Sequence, residues 1–248
     1  MKVLILAAGY GTRLYPYTKN YPKPLLKIGK RPIINHLLDK IKELSNISGI
    51  RVVTNGKFFK QFKAWKSNLS IKYPVRIIND LTRGPKDKLG AVGDMNLIFK
   101  ADNFKGNFLV LGGDNLFKDS LSDFMRFARA KSPYVSVGLF DIGDKKQASY
   151  YGVVNLDKKN RIVKFCEKPL KPKSSLVAMC LYYFPQAKLG LIKDYLGNPA
   201  NCPDQAGAYI SWLSQKDKVY GFVFKNFWFD IGDVDSYKKV GGILKEKE

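Results

Sequence analysis

LAAGYGTRLYPYTKNYPKPLL, residues 6–26, follows a short apolar run, Val3-Leu4-Ile5-Leu6, with the length and composition of a buried strand. Near Pro32 it gives way to apolar residues at helical spacing, with Pro32 at a first-turn position. A glycine-bearing loop thus ends a first strand, which is where open α/β sheets receive ligands. Small residues at Ala7, Ala8, Gly9 and Gly11 let backbone N–H groups approach an anion. Thr12 adds a hydroxyl, Arg13 a planar fork suited to phosphate oxygens, and Lys23 a compact charge at the far end of the loop. A polyphosphate fits that set. Pro16, Pro22 and Pro24 restrict the chain between the two cations, which are then partly ordered before anything binds.

Spacing excludes two common phosphate loops. A dinucleotide fingerprint needs a glycine three residues after Gly11, where Leu14 stands. It also needs an acidic residue ending the second strand, and Val52-Val53-Thr54-Asn55 has none. A Walker-type loop needs Gly-Lys-Ser/Thr, and Gly29-Lys30 is followed by Arg31.

Outward from this loop, patterning predicts a helix over 32–44, a strand at 51–54 and a helix over 57–65. A strand at 75–79, a helix over 90–100, a strand at 108–111, a helix over 121–130 and a strand at 134–140 follow. Strands alternating with helices imply right-handed crossovers and a largely parallel sheet covered on both faces. The rhythm then changes. Strands at 152–155, 161–165 and 176–184 with turn-like links such as Asp157-Lys158-Lys159-Asn160 predict an antiparallel lobe inserted into the sheet. Helices over 187–195 and 204–215, a strand at 219–224 and a closing helix over 234–245 complete the chain.

The 248 residues, 45% of them hydrophobic, suffice for one sizeable α/β domain. No run of eighteen apolar residues occurs and Met1-Lys2 leads straight into the first strand, so a cytoplasmic protein without membrane contact is expected. Cys166, Cys180 and Cys202 are too dispersed for a CxxC pair, which with a single histidine, His36, argues against a zinc site or a Cys-His nucleophile. His36 lies within a helical pattern and reads as structural. The 43 Lys and Arg against 21 Asp and Glu give a formal net charge of +22, which draws phosphorylated substrates but also fits a solvated cationic surface. The one charge run, Lys245-Glu246-Lys247-Glu248, is of mixed sign.

The 6–26 stretch resembles the signature of the sugar-1-phosphate nucleotidyltransferases, the pyrophosphorylases typified by glucose-1-phosphate thymidylyltransferase. That signature reads L-A-(G/A)-G-x-G-T-R-L-x-P-x-T and, after a short gap, K-P-L-L. Every fixed element is present, and the similarity continues at matching intervals to about Tyr237. The resemblance implies a nucleotide-diphospho-sugar transferase fold, a Rossmann-like, mostly parallel sheet flanked by helices with a small antiparallel sugar-binding lobe. It implies a single domain over 1–248, about 1–140 serving the nucleotide and 141–248 the sugar and the closing helix. The chain ends where bifunctional relatives would begin a hexapeptide-repeat acyltransferase domain, so that second activity is not expected.

The same resemblance assigns residues. Asp114, in Gly112-Gly113-Asp114-Asn115, and Asp230, in Trp228-Phe229-Asp230-Ile231-Gly232, become the pair that holds Mg²⁺. Asp233 is better placed as the N-cap of the last helix. Tyr151-Gly152-Val153 and Glu167-Lys168-Pro169 match segments that line a sugar-phosphate pocket. Lys168 would grip the phosphate, Glu167 would accept from sugar hydroxyls, and Gly152 would let the ring lie close. Ala8, Gly9, Gly11, Thr12, Gly90 and Asp114 are the nucleotide-binding set, with Gly90 meeting the base edge, and Arg13, Lys23 and Lys168 are the catalytic cations. Asn79-Asp80-Leu81-Thr82-Arg83 and a longer loop stand where relatives carry a base-reading Gln or Glu, and Cys180 replaces the glycine of T-G-L-Y. Base and sugar are left open.

The expected reaction is attack by a sugar 1-phosphate on the α-phosphorus of a nucleoside triphosphate, with release of pyrophosphate. Two other readings stand beside it. One is a CTP-dependent cytidylyltransferase acting on phosphocholine or another small phosphomonoester. The other is a non-catalytic nucleic-acid or nucleotide-binding regulator, motivated by the charge but lacking any nucleic-acid motif. Relatives commonly form homo-oligomers, so one is open here.

Overall fold

Val3, Leu4 and Ile5 are fully buried, and Leu4 faces a different core from Val3 and Ile5, because successive strand side chains point to opposite sides of a sheet. The same alternation separates Leu109 and Leu111 from Phe108 and Val110, and Val52 from Val53. These apolar runs are therefore strands covered on both faces.

The computed structural model describes residues 1–101 and 105–245. Its first half contains β1 (Lys2–Leu6), β2 (Lys27–Ile28), β3 (Arg31–Pro32), α1 (Ile33–Lys42), β4 (Gly49–Thr54), α2 (Phe59–Ser67), β5 (Val75–Asn79), α3 (Gly90–Ala101), β6 (Phe108–Gly112), β7 (Asn115–Phe117), α4 (Leu121–Ala130) and β8 (Val135–Asp141). Then come α5 (Lys145–Ala148), β9 (Gly152–Leu156), β10 (Ile162–Glu167), β11 (Leu176–Phe184), α6 (Leu191–Leu196), α7 (Ala206–Lys216), β12 (Val219–Phe224), β13 (Trp228–Asp230) and α8 (Val234–Lys245). The run Lys245–Glu248 extends past the described residues.

Nine strands form one sheet with the path β10-β9-β11-β6-β1-β4-β5, on which β8 pairs with β11 and β12 with β8. β6, β1, β4 and β5 are a parallel block in which β1 is central, with Leu6 level with Val53 and Gly112. β11 runs antiparallel to β6 and β8, and β10 antiparallel to β9, while the remaining strands share the direction of β1. The mostly parallel sheet with an antiparallel insertion is as the sequence implies, with one refinement. β8 does not continue the parallel block, because β11 intervenes between it and β6.

Helices cover both faces. Ile34, Leu37, Leu38 and Ile41 of α1, Phe62 of α2 and Leu121, Phe124 and Met125 of α4 fill one side. Val92, Met95 and Ile98 of α3, Ile192 and Tyr195 of α6 and Tyr209, Ile210 and Leu213 of α7 fill the other. A third, smaller cluster joins Leu14 and Leu26 of the opening loop to Ile33, Leu116, Ile231 and Val240. The loop is thus tethered by buried leucines, each worth about 1.5–3 kcal/mol of transfer free energy. No helix among the described residues is long and apolar enough to cross a membrane.

Sequence patterning misses the shortest elements: β2 with β3, β7 with β13, and α5. The helix expected over 187–195 is a 3-10 turn, Gln186–Lys188, followed by α6 from Leu191, the break falling at Gly190. α2 begins at Phe59 rather than 57, and Pro32 precedes α1 as its N-cap rather than opening it.

Candidate active site

The opening loop leaves β1 pinned to its neighbours: Ala7 N donates to Val53 O (2.9 Å) and Gly113 N to Leu6 O (2.9 Å). Asn55 Nδ2 donates to Ala8 O (2.9 Å), which occupies that carbonyl. Gly11 then turns into the left-handed region, φ 63°, and caps a 3-10 turn over Thr12–Leu14. Only glycine takes this geometry without strain, and a Cβ there would lie 3.1 Å from buried Thr18, whose Oγ1 donates to Gly11 O (2.6 Å). Gly9 is exposed, with nothing within 4 Å of where its Cβ would be. The turn buries Leu14 and leaves Thr12 and Arg13 exposed over a cleft.

The cleft has two adjoining compartments, of ≈ 340 and ≈ 590 Å³, which share Arg13, Ala91, Asp114, Cys180, Asp204 and Gly232. Gly9, Gly11, Thr12 and Lys23 line the first; Gly152, Glu167, Lys168 and Asp230 line the second. Two of the residues singled out in the sequence lie elsewhere. Ala8 is buried beside the cleft rather than on its wall. Gly90, at φ 77°, packs its α-carbon against Pro203 and Asp204, where an added Cβ would meet backbone at 2.4–2.6 Å, and Val92 N donates to Pro203 O (2.8 Å). Its missing side chain is therefore accounted for by a neighbouring loop, and Ala91 takes the place on the wall.

A short antiparallel pair brings the two distant aspartates together. β7 and β13 pair so that Asp230 stands opposite Asn115, the residue after Asp114. Trp228 Nε1 donates to buried Asn115 Oδ1 (2.6 Å), locking the pair, and the Trp228 ring packs against Tyr151 with centroids 5.3 Å apart. Lys23 Nζ donates to Asp114 Oδ2 at 2.6 Å. A methyl placed on Gly232 would lie 3.7 Å from both Arg13 Nη1 and Asp230 Oδ2, so cation and carboxylate flank that glycine. Burial and the charge of Asp114 push the Asp230 carboxyl up to about 6, with Lys23 and Arg13 acting against the rise. Asp233 caps α8 instead: its Oδ1 accepts from Ser236 N (2.8 Å), which holds its own pKa low.

Glu167 occupies space that two glycines vacate. A Cβ on Gly152 would lie 2.9 Å from Glu167 Oε2, and one on Gly207 of α7 only 1.8 Å. Burial raises the Glu167 pKa against the pull of Lys168. Lys168 is exposed at φ 44°, its N–H donating to Tyr151 O (3.0 Å).

Sequence reasoning did not foresee the third wall, made by Asp204 and Gln205 ahead of α7 and by Gly207 within it. Asp204 pairs with Lys88 at 2.6 Å, joining the loop before α3 to the loop before α7. A glycine inside a helical run is the one available signal, since it marks close approach. Tyr10 also lines the first compartment, its hydroxyl 2.9 Å from Thr82 Oγ1, and Thr82 in turn donates twice to Asp80 Oδ1 (2.8 Å each). Asp80 thus faces inward and holds the loop. His36 lies on α1 beside Leu116, Phe117 and Phe229, away from the cleft walls, and the three cysteines are free.

Among the described residues no group of three His, Cys, Asp or Glu side chains could hold a metal by itself. Asp114 and Asp230 offer carboxylate oxygens on one cleft wall, in the number with which magnesium shared with substrate phosphates is held. The donor set therefore fits such an ion.

Comparison with known proteins bears on the fold and the family. A bifunctional protein GlmU of Methanocaldococcus jannaschii is 30% identical over 232 residues, covering 94% of this chain and 51% of the relative. One from Methanococcus maripaludis is 29% identical over 235 residues with the same coverage. The chain spans about half the length of these curated relatives. A Bacillus anthracis structure assigned as a glucose-1-phosphate thymidylyltransferase, with sucrose bound, superposes with a TM-score of 0.80 at 24% identity. It covers 99% of this chain and 96% of its own, so the fold is shared throughout. With a match of residues 2–246 to the nucleotidyl transferase family model, the chain belongs to that family.

Proposed function

We propose that this protein transfers a nucleotidyl group from a nucleoside triphosphate to a sugar 1-phosphate, releasing pyrophosphate. One observation carries the reading: Arg13 and Asp114 stand where a compartment lined by the opening loop and Lys23 joins one lined by Asp230, Glu167 and Lys168. An oxygen of the acceptor phosphate attacks the α-phosphorus, and the bond to the bridging oxygen of pyrophosphate breaks in line. A phosphate monoester has its second pKa near about 6 and is largely ionised at neutral pH, so no general base is required. This suits a cleft without histidine or a reactive thiolate.

Catalysis then rests on positioning and charge. Arg13 neutralises the departing pyrophosphate, Lys23 orients Asp114 and meets triphosphate oxygens, and Lys168 holds the acceptor phosphate. Glu167 accepts hydrogen bonds from the acceptor's hydroxyls, and Gly9 and Gly11 leave room for the triphosphate against the loop backbone. A magnesium ion held by Asp114 and Asp230 would supply further neutralisation of the phosphate oxygens.

The test is pyrophosphate release from each of dTTP, UTP, CTP, GTP and ATP against a panel of sugar 1-phosphates and phosphocholine. At least one sugar 1-phosphate should give turnover, lost on chelation and restored by Mg²⁺. Arg13→Ala is expected to lower turnover by roughly 10²–10³. Turnover with phosphocholine alone, or Arg13→Ala at wild-type rate, would overturn the assignment.

A further inference from the structure

Position 180 carries a side chain in a backbone conformation that favours glycine. Cys180 has φ 54°, and it sits where β11 slips register against β8 between Ala178 and Tyr182. The bulge turns this residue out of the sheet ladder and onto the wall of both cleft compartments. It stands beside Gly112, whose added Cβ would lie 3.3 Å from Cys180 Cβ, and so next to Asp114. Elsewhere the acceptor compartment is cleared by glycines: Gly152 and Gly207 both give up volume to Glu167. At the junction of the compartments volume is instead added.

We propose that Cys180 is a specificity-determining residue, whose bulk narrows the passage between the two compartments. It restricts the acceptor to sugar 1-phosphates with a small group, hydroxyl or hydrogen, on the carbon next to the phosphorylated one. The inference rests on the transfer reading above and deepens it. Cys180 lines both compartments, beside Asp114 and on the wall that also carries Glu167; with phosphates at Asp114 and sugar hydroxyls at Glu167, its side chain borders the part of the acceptor nearest the phosphate. The effect is one of volume, not of thiol chemistry. One methylene-sized change in a pocket typically alters selectivity by about 10–200-fold.

The experiment compares equilibrium binding of glucose 1-phosphate and its 2-acetamido analogue to the full chain by calorimetry, with pyrophosphate release followed in parallel. Wild type should prefer the 2-hydroxy compound. Cys180→Gly should shift the ratio of dissociation constants towards the acetamido compound by about tenfold or more, and Cys180→Ser, about as small as alanine, should shift it in the same direction by less. If Cys180→Gly does not fold, Cys180→Ala, which deletes only the sulfur, should move the ratio in the same direction by less. A ratio unchanged in the smaller variant, or a wild type that binds the acetamido compound equally well, overturns the role of Cys180 while turnover stands. Selective binding without pyrophosphate release from any triphosphate would sink the transfer reading alone.

Discussion

Asp94 illustrates how one residue can set a property of the whole chain. It is buried in α3, 4% exposed, with Oδ1 lacking a hydrogen-bond partner, and burial together with the charges of Asp80 and Asp204 pushes its carboxyl up to about 8. The native state therefore keeps a proton that the unfolded chain releases near the ordinary value of 3.8. Between those two values the folded form binds more protons at this site, so Asp94's contribution to stability is greatest in acid and declines as pH rises towards 8, by at most about 1.4 kcal/mol per pH unit. Asp94→Asn removes the titration. The variant should show a flatter profile of denaturant midpoint against pH than wild type, gaining most at pH 8. Identical profiles for the two proteins would mean that Asp94 titrates in the native state as it does in solvent.

Among elements, one of the shortest pairs is the one on which the geometry of the cleft turns. β7 and β13 have three residues each, too few for a hydrophobic period to show, and they lie over a hundred positions apart. Their pairing nevertheless places Asp230 opposite Asn115. Trp228→Phe keeps the ring and deletes the bond to Asn115 Oδ1, leaving a buried acceptor unpaired at a cost of about 1–3 kcal/mol. With the pair loosened, turnover in the pyrophosphate assay should fall more than the affinity for triphosphate, because Asp230 loses its register before the loop loses its cations. Unchanged stability would show that the bond from Trp228 to Asn115 contributes nothing to the pairing.

The same contrast explains what could be read in advance. Strands at 75–79, 176–184 and 219–224 and helices at 121–130 and 234–245 coincide with the observed ones because each is long enough to carry its own pattern. Leu14 and Leu26 were legible only as motif letters, and the third core cluster gives them their physical reason. The loop glycines, Asp114, Asp230, Glu167 and Lys168 could be placed on one cleft because the segments that carry them resemble the family's motifs. Asp204, Gln205 and Gly207 could not, since they reach it through the packing of α7 against β10, a long-range contact with no local signature.

At the scale of the molecule, the net charge of +22 is not a property of the cleft. Its two compartments are lined by Arg13, Lys23, Lys88 and Lys168 against Asp114, Glu167, Asp204, Asp230 and Asp233, so the walls themselves carry no positive excess. The surplus lies on outer surfaces such as α2, where Lys60, Lys63 and Lys66 are exposed. Charge so distributed steers an anionic substrate from a distance but does little to hold it once bound. Screening acts over about 8 Å at physiological salt, so the rate of encounter is more salt-sensitive than the bound complex. Raising KCl should therefore lower kcat/KM for the triphosphate while kcat at saturation changes little. Replacing Lys60, Lys63 and Lys66 together with Glu should reduce kcat/KM at low salt by up to about tenfold, and the deficit should vanish as salt is added. A deficit that persists at high salt, or appears in kcat, would place these lysines in the binding step rather than in the approach to it.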